Sequence, residues 1–202
     1  MKISALLAFL VIACGSQSFA QDQGLAQELL GRWRSTETSK GGIGSMLVFR
    51  PDGTVVFSIG AVVEMPYRIE GDELVLPSAT TDGPEQRGKL NFSGQNQLNL
   101  MGQEQLTRKG TALDSKKLIV GEWEGKREMG GKQLEVHYLF HPNGRCLLLI
   151  PFVMMPGKYQ VQGSTLNMKL PEQPPVDEKF QIRDGVLTIA SESRGANRYS
   201  RY

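Results

Sequence analysis

The chain has 202 residues, 40% of them hydrophobic and 22% charged, with a formal net charge of +2 and two cysteines. A near-neutral chain with no basic stripe among its aromatics is a poor partner for nucleic acid, and no charge run marks a polybasic membrane-binding segment. Two cysteines cannot make a disulfide framework, so the chain must hold together by burial.

In chain order, the first expected element is a leader. Lys2 is a minimal positive region, Ile3 to Ala13 is an apolar run, and Ser18-Phe19-Ala20 offers small residues where a signal peptidase inspects. Residues 1–20 therefore read as a signal peptide cleaved before Gln21, with a periplasmic or secreted destination. The alternative is a lipid anchor at Cys14, since Val11-Ile12-Ala13-Cys14 resembles a lipobox. On either route Cys146 is left without an intramolecular partner. The apolar run is too short to span ~30 Å of hydrocarbon and no other stretch is long enough, so the mature chain is expected to carry no integral membrane segment.

Gln23 to Leu30 places apolar residues at 25, 26, 29 and 30, which predicts a turn or two of helix. Leu30-Gly31-Arg32-Trp33 opens the first short strand. Pro51-Asp52-Gly53 follows Phe49 as a bulged hairpin turn: proline presets φ, aspartate suits the third position, and glycine supplies the left-handed fourth. Tyr67-Arg68-Ile69-Glu70-Gly71 and further tight turns at Gly94-Gln95 separate short alternating runs such as Gln97-Leu98-Asn99-Leu100. Residues 110–114 read as a linker. Ala112 to Ile119 predicts a helical turn with Asp114 as its cap.

Then the pattern starts again. Val120-Gly121-Glu122-Trp123, Phe140-His141-Pro142-Asn143-Gly144 and Tyr159-Gln160-Val161-Gln162-Gly163 repeat the first copy in order. The offset is 90 residues at Trp33 and Trp123, 91 at Gly53 and Gly144, and 92 at Tyr67 and Tyr159. A period of this size sets the architecture, and turn signals every 8–12 residues or so are those of an antiparallel meander. The expectation is an all-β protein: two tandem antiparallel up-and-down small barrels, residues 25–109 and 115–202, of about eight short strands each.

A Gly-x-Trp on the first strand of such a meander resembles the lipocalin signature. The whole repeat is similar to the compact lipocalin-like domains of exported bacterial proteins. The resemblance implies that each tryptophan packs at the closed end of its barrel under an arginine from the last strand. Within each copy, Trp33 would then meet Arg108, and Trp123 would meet Arg201, with Arg198 as the second choice, while Gly31 and Gly121 let the backbone turn closely into the barrel base. Guanidinium over indole is a favourable cation–π pair. Lipocalins that hold ligands are longer per barrel, and short strands leave an interior that side chains alone can fill.

Few residues point to chemistry. His137 and His141 lie four apart on a strand, about 13 Å at ~3.3 Å per residue, and Cys146 is expected opposite Phe140 on the other face. That trio does not converge on a metal, so no metal and no cofactor is expected. The carboxylates Glu70, Asp72 and Glu73 crowd a turn and read as solvated charges, and the glycine-rich Lys40-Gly41-Gly42-Ile43-Gly44 lacks what a phosphate loop needs. Met65-Pro66 and Met155-Pro156 match between the copies, and thioethers are soft copper ligands. They also fill apolar space. With no nucleophile beside a base, the chain is not expected to be an enzyme.

The apolar runs at Val55–Val63 and Cys146–Met155 break the half-buried pattern and imply burial on both faces. Three uses compete: packing of repeat against repeat, a protein partner, or a hydrophobic ligand mouth. The expected function is a non-enzymatic exported binding protein for a small apolar ligand. The candidate lining is Phe57, Val63, Met65, Leu149, Phe152 and Met155, with Tyr67 and Tyr159 as polar handles. The alternative is an envelope protein-interaction module, such as a lipocalin-like protease inhibitor acting through Gln21 to Leu29, or a scaffold.

Overall fold

The computed structural model describes residues 24–78, 83–111, 118–191 and 195–202. The expected signal peptide and Cys14 lie outside the described residues, as do residues 112–114 of the expected linker and most of the helical turn expected after it. No helix among the described residues is long and apolar enough to cross a membrane.

The protein is all-β, a 15-stranded antiparallel sheet preceded by one short helix at residues 24–29. The first copy contributes β1 (Gly31–Ser35), β2 (Ile43–Phe49), β3 (Thr54–Pro66), β4 (Arg68–Glu70), β5 (Glu73–Leu76), β6 (Gln86–Ser93), β7 (Gln97–Leu100) and β8 (Glu104–Lys109). The second contributes β9 (Gly121–Met129), β10 (Lys132–Phe140), β11 (Arg145–Gln162), β12 (Thr165–Lys169), β13 (Val176–Arg183), β14 (Val186–Ser191) and β15 (Gly195–Arg201). Both hairpin turns behave as their residues require, with Gly53 and Gly144 at φ of 77° and 82°.

The pairings do not keep the copies apart. β1, β2 and the first half of β3 pair onward to the second half of β11, then β12, β13, β14 and β15, and β15 returns to β1. This first circuit joins both ends of the described chain. The second half of β3 runs on through Tyr67 into β4. From there β5, β6, β7, β8, β9, β10 and the first half of β11 complete a second circuit, drawn from one continuous stretch of chain. The boundaries 25–109 and 115–202 therefore delimit repeats but not closed units. The reason is strand length. β3 has 13 residues and β11 has 18; at ~3.3 Å per residue β11 reaches on the order of 60 Å, more than one small circuit can use. Each long strand serves one circuit with its first half and the other circuit with its second.

The two strands cross at Gly60, which pairs with its own repeat counterpart, Pro151. A Cβ on Gly60 would sit 2.0 Å from the Ile150 carbonyl oxygen, so only glycine fits. Proline lacks a ladder donor, and the register shifts beside it between Pro151 and Val153. Phe152 is the extra residue, which accounts for the step in repeat offset from 91 to 92.

Exchange crosses every contact between first and last strands. Trp33 pairs with Arg201 and Trp123 with Arg108. The Arg201 guanidinium lies 4.3 Å from the Trp33 ring centroid, and that of Arg108 lies 4.2 Å from Trp123. This corrects the within-copy contacts expected of Trp33 with Arg108 and Trp123 with Arg201: the last strand of each copy closes onto the first strand of the other. Both tryptophans are fully buried, and their indole N–H groups donate to Leu29 and Ile119 carbonyls. Arg201 donates to the Leu30 and Glu28 carbonyls, and Arg108 to those of Val120, Leu118 and Gln95. Gly31 and Gly121 make this approach possible, because a Cβ at either would meet the arginine Nη1 at 2.7 or 2.6 Å.

The tyrosines cross too. Tyr67 donates its hydroxyl to His141 O, and its backbone N–H to Gly144 O, while its ring stands edge-on to Phe140. Tyr159 does the same to Arg50, Gly53 and Phe49. Each copy's tyrosine latches the other copy's hairpin.

Three apolar clusters follow from this. One fills each circuit, around Trp33 and around Trp123. The third, of Met46, Val62, Leu147 and Leu149 with Leu139 and Tyr202, covers the outward face of β3 and β11. The doubly apolar runs thus have one face inside a circuit and the other under this outer cluster at Val62, Leu147 and Leu149, whereas Ile59 and Phe152 to Met154 remain exposed. Beside it Arg32 donates through both Nη atoms to the two carboxylate oxygens of Glu122. These are the x residues of the two Gly-x-Trp motifs, so matched positions carry opposite charge.

Trp33→Ala and Trp123→Ala are each expected to destabilise the protein by about 3–5 kcal/mol, measured by chemical denaturation. Double-mutant cycles report the exchange directly. Coupling of about 0.5–2 kcal/mol is expected for Trp33 with Arg201 and for Trp123 with Arg108, and none for Trp33 with Arg108. Coupling confined within each copy would contradict the crossed pairing.

Candidate functional site

Inside a circuit, alternate residues of each strand point inward. On β10 these are Val136, Tyr138 and Phe140; on β9 they include Trp123 and Arg127. Toward the end of the second circuit away from Trp123, the inward side chains leave a cavity of about 1090 Å³. Val63, Met65, Leu76, Leu100, Phe140 and Leu148 give it an apolar wall.

One polar group is set into that wall. Glu104 opens β8 after a turn through Met101 and Gly102, both at positive φ. Its side chain is buried, and its Oε1 accepts from Arg127 Nε. Arg127 Nη2 donates to the Tyr138 hydroxyl at 2.6 Å. Tyr138 in turn stacks on Phe140, with centroids 5.6 Å apart. Burial, followed by the Glu104 charge, pushes the Tyr138 phenol well above its ordinary pKa, so it stays protonated. Burial opposes the charge on Arg127, but Tyr138 and Glu104 outweigh it and hold the guanidinium ionised. Oε2 of Glu104 is buried and has no hydrogen-bond partner among the described residues.

The first circuit has a smaller hollow of about 360 Å³, lined by Leu47, Phe57, Ile59, Met155, Leu170 and Tyr199 among others. Its counterparts to the network are different residues. Leu47 opposes Trp33 as Tyr138 opposes Trp123. Asn197 holds the place of Glu104, and Glu37 that of Arg127, and both are exposed. The frame is repeated, whereas the Glu104–Arg127–Tyr138 group belongs to the second circuit; the hollow of the first holds a buried Glu178.

The expected ligand residues do not come together. Val63 and Met65 line the large cavity, Phe57 and Met155 the small one, and Tyr67 a third hollow of about 550 Å³ near Ile119. Leu149 is buried in the outer cluster. Phe152 sits at the bulge, 40% exposed. Tyr159 packs on Phe49, and both tyrosine hydroxyls are engaged by the opposing hairpin turns. The apolar runs read as one lining, but strand alternation and the shared ladder divide them among separate environments. Glu104, Arg127 and Tyr138 were absent from the expected set because single charges in alternating strands look solvated. The signal that finds them is divergence between copies at inward positions.

Cys146 faces Phe140 across β10 and β11, as the turn predicted, and lines the large cavity. His137 points outward. Its Nδ1 lies 3.2 Å from Glu124, and with Glu122 the three place ligand atoms within 4.8 Å of one another. Arg32 already occupies both oxygens of Glu122, and Lys109 lies 2.7 Å from Glu124. A cation there would compete with two basic side chains.

Burial pushes the Cys146 thiol far above its ordinary pKa, and only 1% of the residue is exposed. At pH 8 the native protein is expected not to react with a thiol reagent such as dithiobis-nitrobenzoate, with labelling appearing only through the denaturant unfolding transition. Rapid labelling of the native state would mean that the cavity wall opens. Comparison with protein-family models, with curated proteins and with solved structures finds no match, so the chemistry of the site rests on these residues alone.

Proposed function

We propose that each circuit is a small closed barrel of the lipocalin-like kind, and that the chain is a non-enzymatic, exported binding protein. Its ligand is a small, mostly apolar molecule held in the second circuit. The observation that carries this reading is the cavity of about 1090 Å³, whose lining combines an apolar wall and the buried Glu104–Arg127–Tyr138 group with polar residues such as Ser39, Lys40, Gln86 and Gln103. Ligand sites have that form: a concave apolar wall with a few placed polar atoms that set orientation. The smaller hollow of the first circuit lacks the Arg127 group, which favours a structural role for that circuit. The leader-like residues 1–20 support export.

A second reading, docking of a protein partner, is favoured by the exposed apolar side chains at the bulge. Phe152, Val153 and Met154 are 40%, 51% and 53% exposed, with Ile59 at 40% close by in the ladder. These would serve as a contact patch rather than a pocket.

The full chain is expected to bind the neutral solvatochromic dye Nile red with a blue-shifted emission. Met65→Trp, which fills the large cavity, is expected to weaken that binding at least tenfold. Leu170→Trp, which fills the smaller hollow, should leave it within about twofold. Equal loss in both variants, or dye binding unaffected by Met65→Trp, would remove the large cavity as the ligand site and favour the partner reading.

A further inference from the structure

We infer that the head of the ligand is a neutral group that both donates and accepts a hydrogen bond, an alcohol or a primary amide, and that Glu104 and Arg127 bind it together. This rests on the second circuit being the ligand site. The argument starts from what the network leaves unused. Glu104 is 3% exposed, its Oε1 is taken by Arg127 Nε and its carboxylate also interacts with the Tyr138 hydroxyl, but Oε2 has no hydrogen-bond partner among the described residues. An ionised carboxylate only accepts, so Oε2 calls for an N–H or O–H from elsewhere. Arg127 offers five N–H bonds in a fixed fork. Nε and Nη2 reach Glu104 and Tyr138, and Nη1 has no described partner. The site thus presents one acceptor and one donor side by side.

Charge then selects among head groups. Glu104 and Arg127 neutralise each other, the exposed Lys40 and Glu128 add one charge of each sign to the cavity lining, and Glu64, also in the lining, is paired with Arg34 and Arg145. A carboxylate head would satisfy Arg127 but would bring a second anion beside Oε2, with no proton to share. An ammonium head would satisfy Oε2 but would face the guanidinium. A buried ion without its own counter-charge is disfavoured on either side. A hydroxyl or a primary amide meets both demands without adding charge: it donates to Oε2 and accepts from Arg127. An ester or ketone can only accept, and leaves Oε2 as it was.

The test is displacement of Nile red from the full chain at pH 8 by a matched twelve-carbon series: dodecanol, dodecanamide, methyl dodecanoate, dodecanoate and dodecylammonium. Dodecanol and dodecanamide are expected to displace the dye at concentrations at least tenfold below those needed for the two ions and several-fold below that for the ester. In Glu104→Gln the side-chain amide replaces the anion with a group that can donate, so dodecanoate should gain affinity and its gap to dodecanol should close to within about threefold. Should that variant fold poorly, the ranking by the wild-type chain stands as the test, and Arg127→Met, which should lose the preference for dodecanol over the ester, gives the second arm. Dodecanoate binding as tightly as dodecanol to the wild-type chain would overturn the head-group inference while leaving an apolar-ligand site in place. Failure of every compound to displace the dye, or of the dye to bind, would overturn both.

Discussion

The ladder between β3 and β11 is the constraint on which the rest of the structure depends. It runs from Arg145 opposite Pro66 to Lys158 opposite Thr54, with Gly60 and Pro151 near its centre. Because it passes from one circuit into the other, the two share a wall, and neither can shift in register without moving the other. The third apolar cluster covers its outward face at Val62, Leu147 and Leu149, so that part of the ladder is buried on both sides, while the bulge at Phe152 to Met154 stays exposed. The close approach at Gly60 and the bulge at Phe152 are local adjustments that keep two unequal strands paired through the crossing.

Much of this was legible in the residues. The repeat, the Pro-Asp-Gly and Pro-Asn-Gly turns and the strand-rich pattern follow from local chemistry, and the pairing of each tryptophan with a last-strand arginine is what the lipocalin-like resemblance implies. Which copy supplies the arginine does not. Arg108 and Arg201 sit in equivalent settings, so Trp33 gains the same contact from either, and nothing local prefers one. The deciding quantity was the length of the apolar run from Cys146 onward, too long for a single small circuit. Burial on both faces is legible in that run, but repeat packing, a protein partner and a ligand mouth all predict it, and none of the three is a strand held in common.

The candidate site was less legible, for a related reason. Reading Val55–Met65 and Leu147–Met155 as one lining ignores that alternate residues face opposite ways, which sends Leu149 outward and Met65 inward. Arg127, Glu104 and Tyr138 are far apart in sequence and meet only because β8, β9 and β10 are neighbours. Their counterparts Glu37, Asn197 and Leu47 differ in chemistry at the matched positions. Duplication makes that contrast readable: where both copies agree, as at Gly-x-Trp and at the latching tyrosines, the residue serves the frame.

The arrangement of the two circuits along the chain also orders their completion. The second circuit is finished once β11 has begun to form, with Trp123 already covered by Arg108 from upstream. The first must wait for the last strand of all. Until Arg201 emerges, β1 has an open edge and Trp33 has no cation over its ring, although both are made at the start. During synthesis from the N-terminus, the earliest strands are the last to be secured. An unpaired edge of that kind is prone to join another chain. The interval between making β1 and making β15 therefore leaves that edge open to pairing with another chain.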